Sequence, residues 1–389
     1  MRATKATVLC GDRAIPWTAF QQLGNKLSDT QLLWIGRPSG RGTFSPLRDL
    51  EHPHHDGECF SLYLKGARGR SSKFKEDRIF GMLALAPQSI RAKIKVVYHE
   101  ADPGHYIQVY RAATIVFLEE LPLETVLTAA LSSGKAEKLP SWCPDWSLKL
   151  TSNAPPARFK ADITHFALRS WSVDPLNHNI LFVRGLQIDV VKEVINDYSY
   201  YWPNSISGID GLADKMLQWL NRCEDLTRRT VATHEAATDA YWKTILSYSD
   251  IHNQFNFPPD PVRGLVAHRR RLAESRDSIP LAQTSVSLED LRARGPLIAY
   301  VGVLWPGKVF FSTKGGAVGL ADEGIAAGDP ICLFFGACKH FILKHFDDGT
   351  HYLKSVAYVH RMMGGVAAAL RLRDRDTRQE ESAQMFRIR

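Results

Sequence analysis

Apolar residues recur at helical spacing in several parts of the chain, which predicts a series of helices. The first of them follows Pro16, a residue suited to the first turn of a helix, and includes Trp17, Phe20, Leu23 and Leu27. Further helices are predicted over residues 77–86, 106–131 with a break near Pro122, 211–226, 238–249 and 287–294.

A different pattern predicts strands. Residues 179–194 alternate and are rich in β-branched side chains, which indicates one or two strands. From residue 300 onward, short apolar runs separated by turn residues predict a small antiparallel barrel or sheet. KGGAVG at 314–319 predicts a hairpin rather than a phosphate loop, because another strand and not a helix follows it. Gly328 and Asp329 are expected to form the turn that enters the strand ICLFF.

The two patterns together predict an α+β fold, and 389 residues are enough for two or three domains. We expect a helical N-terminal part over 1–135, a mixed linker and helical middle region over 136–296, and a small C-terminal antiparallel β-barrel or sheet domain over 297–370. Residues 36–58, rich in Gly and Pro, are expected to form a loop. Residues 371–389, with six Arg and four acidic residues, are expected to form a disordered tail.

Composition and charge exclude several classes of protein. A hydrophobic fraction of 44% and nine Trp exclude a disordered chain, and no apolar run reaches the length of a membrane span, so no membrane partner is expected. The net charge of +8 is spread along the chain, and Arg269–Arg271 lacks interleaved aromatic residues, so no nucleic-acid partner is expected. Six Cys without a CxxC pair, and a start without a signal-peptide pattern, predict free thiols in the cytoplasm.

The tightest polar cluster in the sequence is YHEADPGHY, with His99, Asp102 and His105. Two imidazoles and a carboxylate are ligands that a divalent metal accepts. Ligands spaced by three residues need a continuous helix, however, and Asp-Pro-Gly is a turn signature. We therefore expect solvent-exposed turn residues here and predict no metal site.

The remaining candidates are weaker still. Asp145 joins His99, Asp102 and His105 as a candidate catalytic residue, although its carboxylate is also suited to cap a turn. The His-rich run at 52–56 is suited only to adventitious metal binding. No cofactor site is predicted, and whether the chain is an enzyme stays open.

Several segments in order resemble the fungal heterokaryon-incompatibility (HET) family. EDRIFGMLALA resembles the family's "D-kiyaLLGLa" element, LPSWCPDWS resembles "LPSWvPDWs", and YWKTIL resembles "fwrTl". KVFFSTKGGAVGLADEGIAAGDPICLFFGACKHFILK and AYVHRMMGG resemble the two C-terminal elements of the family. These segments lie at 76–86, 139–147, 241–246, 308–344 and 357–365, so the resemblance covers most of residues 1–366.

The sequence also departs from the family pattern. A full member begins with a domain related to Toll/interleukin-receptor folds, whose "YvaLSYvWG" and "iDalCInQ" elements are not in this sequence. The resemblance therefore implies an N-terminally truncated member in which residues 1–135 are a helical HET-domain remnant. The family's nucleotide-hydrolysing or signalling activity is attributed to the part that is missing. Near the end, Arg361 stands where the family has Gly, and Val366 stands where it has Glu.

The resemblance implies a truncated or divergent HET-like protein that acts through a protein partner in fungal nonself recognition and programmed cell death. The alternative is an enzyme or accessory protein of a fungal secondary-metabolite biosynthetic pathway, which would use the same scaffold to bind a small-molecule ligand. A deep apolar pocket with convergent polar groups would favour the alternative, whereas an exposed apolar patch would favour protein interaction.

Overall fold

The computed structural model describes residues 7–10, 13–19, 22, 57–68, 72–99, 101–131, 135–148, 170–196, 209–246, 307–362 and 383–389. The chain divides into two compact units: Met1–Leu121 with Trp146–Lys149, and Pro122–Asp145 with Leu150–Arg389. The helix predicted over 287–294 lies outside the described residues, as does most of the helix predicted over 17–27. The loop predicted over 36–58 is described only at residues 57–58, where a helix begins.

In the first unit, residues 17–19 and 22 are helical, as predicted after Pro16. The described residues of this unit also form a two-stranded antiparallel hairpin and four helices with defined bounds. Their bounds are Thr7–Cys10 (β1), Arg13–Pro16 (β2), Gly57–Ala67 (α1), Asp77–Phe80 (α2), Gln88–Lys93 (α3) and His105–Glu120 (α4). The helix predicted over 77–86 is instead the single turn of α2 followed by a 3₁₀ turn at Leu83–Leu85. Phe60 of α1 packs edge-on against Phe117 of α4 with ring centroids 5.8 Å apart, and both side chains are buried.

The predicted break near Pro122 is confirmed. Helix α4 ends at Glu120, and the next helix, Leu123–Ala130 (α5), begins directly after Pro122, which has no amide hydrogen to continue the helix. A helical N-terminal part over 1–135 stays a prediction, because much of that range lies outside the described residues. Within the described part of the chain, no helix has both the length and the apolar character needed to cross a membrane.

The second unit combines helices with an eight-stranded sheet, so the α+β class is confirmed. Besides α5, its helices are Ile209–Thr230 (α6) and His234–Leu246 (α7), close to their predicted bounds. The strands are Trp171–Val173 (β3), Leu181–Ile195 (β4), Lys308–Thr313 (β5), Val318–Asp322 (β6), Pro330–Phe334 (β7), His340–His345 (β8), Thr350–Val359 (β9) and Gln384–Ile388 (β10).

The strands predicted from residue 300 onward form one sheet with β3, β4 and β10, and β4 corresponds to the strand predicted over 179–194. Strand β4 pairs with β5, and the pairing continues through β6, β9, β8 and β7 back to β4. All pairs are antiparallel except β9 with β10. The inward-facing side chains form one apolar core that includes Leu186, Val191, Phe311, Leu333 and Ile342.

The KGGAVG segment forms the hairpin predicted for it, between β5 and β6. Gly316 in its turn has φ of +84°, a conformation that suits glycine. Gly319 lies so close to its neighbours that an added Cβ would be 2.4 Å from the Tyr358 carbonyl oxygen. The glycines therefore serve strand pairing and close packing. Gly328 and Asp329 form the predicted turn, and Lys354 Nζ lies 2.7 Å from Asp329 Oδ2.

The position where the sequence departs from the HET pattern has a backbone conformation that favours glycine. Arg361 follows strand β9 with φ of +65°, and it is the non-glycine residue with positive φ within the described residues. A side chain in this left-handed region costs about 1 kcal/mol or more relative to glycine. The turn therefore has the geometry that a glycine would supply, although arginine stands there.

The expectation of a disordered tail over 371–389 is wrong for its last residues. Gln384–Ile388 form strand β10, which pairs antiparallel with the first part of β4 and parallel with Thr350 and His351 of β9. Phe386 and Ile388 are almost fully buried, whereas Met385, directly before Phe386, is 51% exposed, and Arg387, between the two buried residues, is also exposed. The strand alternates one apolar face toward the core with one polar face, and the high Arg content of the tail hides this pattern.

Replacing Phe386 by Ala should therefore destabilise the protein by about 3–5 kcal/mol, because it empties a filled site in the core. Replacing the exposed neighbour Met385 by Ala should change the free energy of unfolding by less than about 0.5 kcal/mol. Urea unfolding followed by circular dichroism measures both. Equal, small effects of the two substitutions would contradict the placement of β10.

Candidate functional site

His99 and residues 101–105 belong to a tight turn that leads into helix α4. The amide of Asp102 donates to the His99 carbonyl at 3.0 Å, and the amide of His105 donates to the Asp102 carbonyl at 3.1 Å. The Asp102 carboxylate accepts a further hydrogen bond from the Gly104 amide at 2.8 Å. The carboxylate thus stabilises its own turn, which is a common role of Asp before Pro-Gly.

The prediction of solvent-exposed turn residues holds for His99 and Asp102 and is wrong for His105. His105 is 9% exposed, and its Nδ1 lies 3.3 Å from Oε1 of Glu76, which is 8% exposed. Glu76 precedes helix α2, and His105 is the first residue of α4. A buried imidazole and a buried carboxylate therefore pair with each other, which satisfies both polar groups away from water.

The three residues considered as metal ligands do not converge. The rings of His99 and His105 meet edge-on with centroids 4.3 Å apart, but His105 Nδ1 faces Glu76 and the Asp102 carboxylate faces Gly104. Among the residues that the structure describes, no group of three or more His, Cys, Asp or Glu side chains is arranged to hold a metal ion. The turn therefore brings the rings of His99 and His105 together, and His105 also contacts the buried Glu76 carboxylate.

A second carboxylate next to Glu76 binds a tyrosine. The Tyr98 hydroxyl donates to Asp77 Oδ1 at 2.7 Å, and its ring packs against Phe74 and Phe80 with centroids 5.6 and 5.2 Å apart. The hydrogen bond to Asp77, followed by partial burial, raises the pKa of Tyr98 to about 12. The hydroxyl is therefore a hydrogen-bond donor at physiological pH and fixes the end of the preceding segment.

That preceding segment, residues 94–98, belongs to no helix or strand, and residues 95–98 are exposed. It follows helix α3, and Ile94 already has extended backbone angles. Val96, Val97 and Tyr98 are 55%, 45% and 43% exposed. The backbone amides and carbonyls of Lys95, Val96 and Val97 make no hydrogen bond to any other described residue. The segment thus presents β-branched side chains and unpaired backbone groups, a combination that folded proteins usually cover when it occurs at a sheet edge.

The chemistry available to this cluster is limited but specific. Glu76 Oε1 and His105 Nδ1 lie within hydrogen-bond distance at 3.3 Å. The same pair fastens the first residue of α4 to the start of α2, and the Tyr98 hydroxyl fastens the 94–98 segment to Asp77. The geometry therefore serves to hold an exposed segment in a defined position.

Asp145, the fourth candidate, lies in the second unit. Its carboxylate is 2% exposed and accepts a hydrogen bond from the Ala136 amide at 3.3 Å. This contact closes the loop that contains LPSWCPDWS, as expected for a carboxylate that caps a turn. In the same loop, Trp142 is fully buried and donates from Nε1 to the Asn179 carbonyl at 3.0 Å. Both residues therefore have structural partners.

Trp146, at the other end of LPSWCPDWS, belongs to the first unit. It packs edge-on against Phe117 with centroids 5.8 Å apart, and the Arg68 guanidinium lies 5.4 Å from its ring centroid. Arg68 also donates to the Leu148 carbonyl at 3.0 Å. The two tryptophans of the motif thus serve as buried anchors, each with partners in its own unit.

Sequence reasoning missed Glu76, Asp77 and the exposed character of residues 94–98. Glu76 and Asp77 form the acidic start predicted for a helix, and nothing in their spacing from His105 or Tyr98 indicates contact across 29 or 21 residues. A signal for the segment does exist in the sequence: KVVY is β-branched and aromatic, yet it lies between a Lys-rich helix end and a turn.

Comparisons of the chain with protein-family models, with curated proteins and with solved structures found no match. The residues of the site therefore carry the functional argument.

Replacing Glu76 by Ala should destabilise the protein by about 1–3 kcal/mol, because the buried His105 imidazole loses its partner. Replacing the exposed Glu137 by Ala is the matched control and should change the free energy of unfolding by less than about 0.5 kcal/mol. Chemical denaturation measures both variants. A neutral effect of the Glu76 substitution would show that the pair does not form.

Proposed function

We propose that the chain is a truncated or divergent HET-like protein that acts in fungal nonself recognition and cell-death signalling by binding another protein. Two structural features support the family resemblance. LPSWCPDWS, its most specific segment, is well packed, with both tryptophans buried. Arg361, at the position where the family has Gly, has a positive φ. The resemblance remains the basis for the organism class and the pathway.

The 94–98 segment is the observation that carries the interaction. An extended segment with unpaired amides and carbonyls can accept a strand from another protein, with backbone hydrogen bonds supplying affinity and side chains supplying specificity. Arg91, in the helix before the segment, and Lys95, within the segment, are exposed and cationic. We propose that the partner contributes an extended segment with acidic side chains. The Tyr98–Asp77 hydrogen bond would hold the edge in place before the partner arrives.

The same proposal covers the nature of residues 1–135, the form of the sheet and the cellular location. Residues 1–135 would be the helical remnant of the HET domain. The cycle of strand pairs through β4, β5, β6, β9, β8 and β7 would be a small closed barrel, with β10 between β4 and β9. The protein would act in the cytoplasm, where the free Cys143, Cys223, Cys332 and Cys338 stay reduced.

Expression of the chain in a filamentous fungus, scored for cell death, tests the interaction. Replacing Val97 by Asp should abolish the response, because Asp disfavours a strand and repels an acidic partner. Replacing Leu176 by Asp is the matched control, since this apolar side chain is 97% exposed and lies outside the segment, and the response should persist. Circular dichroism should show that both variants fold, because neither changes a buried side chain.

Two outcomes would contradict the proposal. Cell death unaffected by the Val97 substitution would remove the segment from the function. Deletion of the gene followed by loss of a metabolite, with fusion behaviour unchanged, would favour the biosynthetic alternative instead.

A further inference from the structure

A second pair of histidines lies in the hairpin that joins β8 and β9. His345 and His351 are directly opposite each other in the register of these strands. His345 is exposed and His351 is partly buried, and Nδ1 of His345 lies 3.3 Å from Nε2 of His351. Two ring nitrogens therefore face the same point on the surface of the sheet.

The separation of the two nitrogens suits a shared metal ion. Two imidazole nitrogens bound to one Zn²⁺ at about 2.0–2.1 Å, with a tetrahedral angle between them, are about 3.3 Å apart. The distance between His345 and His351 has this value. A bound metal ion would replace the proton between the two rings. The exposed His345 ring is free to adjust its orientation when the ion binds.

The hairpin holds both rings in place. The turn is closed by Asp348, whose Oδ1 accepts from the Thr350 amide at 2.9 Å and whose Oδ2 lies 3.2 Å from Arg389 Nη1. The ring of His351 packs edge-on against Phe386 of β10, with centroids 5.5 Å apart. A ligand set that is already positioned loses little conformational entropy when the metal binds.

Charged side chains lie on the strands around the two rings. The cations among them include Lys344, Arg387 and Arg389, and Arg389 is paired with Asp348. The Asp348 carboxylate thus reduces the positive charge near the two rings.

We propose that His345 and His351 form a bidentate site for a divalent transition metal, with water in the remaining coordination positions. Imidazole suits Cu²⁺, Ni²⁺ and Zn²⁺ and does not suit Mg²⁺ or Ca²⁺. The histidine pair of the first unit is a poor competitor, because His105 Nδ1 is engaged by Glu76 and the two rings meet edge-on. The site is independent of the proposed protein interaction.

Isothermal titration of the full chain, without an affinity tag, with Ni²⁺ and Zn²⁺ at pH 7.5 tests the site. All proteins carry the substitutions H52A, H54A and H55A, because this His-rich run would add background binding. We expect one ion per chain with micromolar affinity. His345→Ala and His351→Ala should each weaken binding about tenfold or more, whereas His178→Ala, which removes an exposed histidine from a turn, should leave the affinity unchanged.

A second measurement separates loss of ligand from loss of fold. Ni²⁺ should raise the thermal midpoint of the protein with both histidines, because the ion binds only the folded hairpin, and it should not raise the midpoint of the His345→Ala variant. Since His345 is exposed, this variant should otherwise melt normally. Unchanged affinity in both single variants, or a stabilisation by Ni²⁺ that survives His345→Ala, would overturn the proposal.

Discussion

Strand β4 supplies the backbone hydrogen bonds on which the second unit depends. It has 15 residues, about three times the usual length of a strand, and pairs with β3, β5, β7 and β10. Its register shifts between Gln187 and Asp189 opposite β7, and between Val191 and Glu193 opposite β5. Such bulges bend a strand and increase its twist. One strand can therefore pair with β10 at its start and with β5 at its end.

The pairing of β4 with four other strands explains why distant parts of the chain are held together. The Ser141 amide donates to the Arg389 carbonyl at 2.9 Å, and the Leu353 amide donates to the Ser141 hydroxyl at 3.0 Å. The LPSWCPDWS loop, the last residue of the chain and strand β9 thus meet at one point. Two buried polar side chains of the sheet are accommodated in different ways. Lys308 is fully buried beside Asp322, and burial lowers the pKa of His340 to about 4, so its ring is neutral.

Local patterns in the sequence predicted the parts of the fold that form locally. The hairpin at KGGAVG, the turn at Gly328 and the break at Pro122 depend on residues within a few positions of each other, and turn chemistry identifies them. Strand β10 depends on pairing with β4, about 200 residues away, while its two buried side chains lie among arginines. The amino-acid composition of residues 371–389 therefore indicated disorder, although the apolar residues Phe386 and Ile388 determine a strand there.

The candidate site shows the same limit. The turn at Asp102 could be predicted from Asp-Pro-Gly, but His105 pairs with Glu76, which lies 29 residues away in the sequence and is brought near only by the tertiary fold. His345 and His351 flank Asp347, Asp348 and Gly349 symmetrically, and a hairpin centred on this Asp-Gly would have placed them opposite each other. The sequence thus contained a signal for the pairing of His345 with His351 and lacked one for the pairing of His105 with Glu76.

The central functional claim is that residues 95–97 form a free strand edge in the isolated protein. Amide hydrogen exchange resolved to single residues measures this directly. The amides of Lys95, Val96 and Val97 should exchange at nearly the rate of an unstructured peptide, while those of Leu181–Ile195 in β4 exchange orders of magnitude more slowly. Protection of the 95–97 amides comparable to that of β4 would show that the edge is already paired, and would contradict the account.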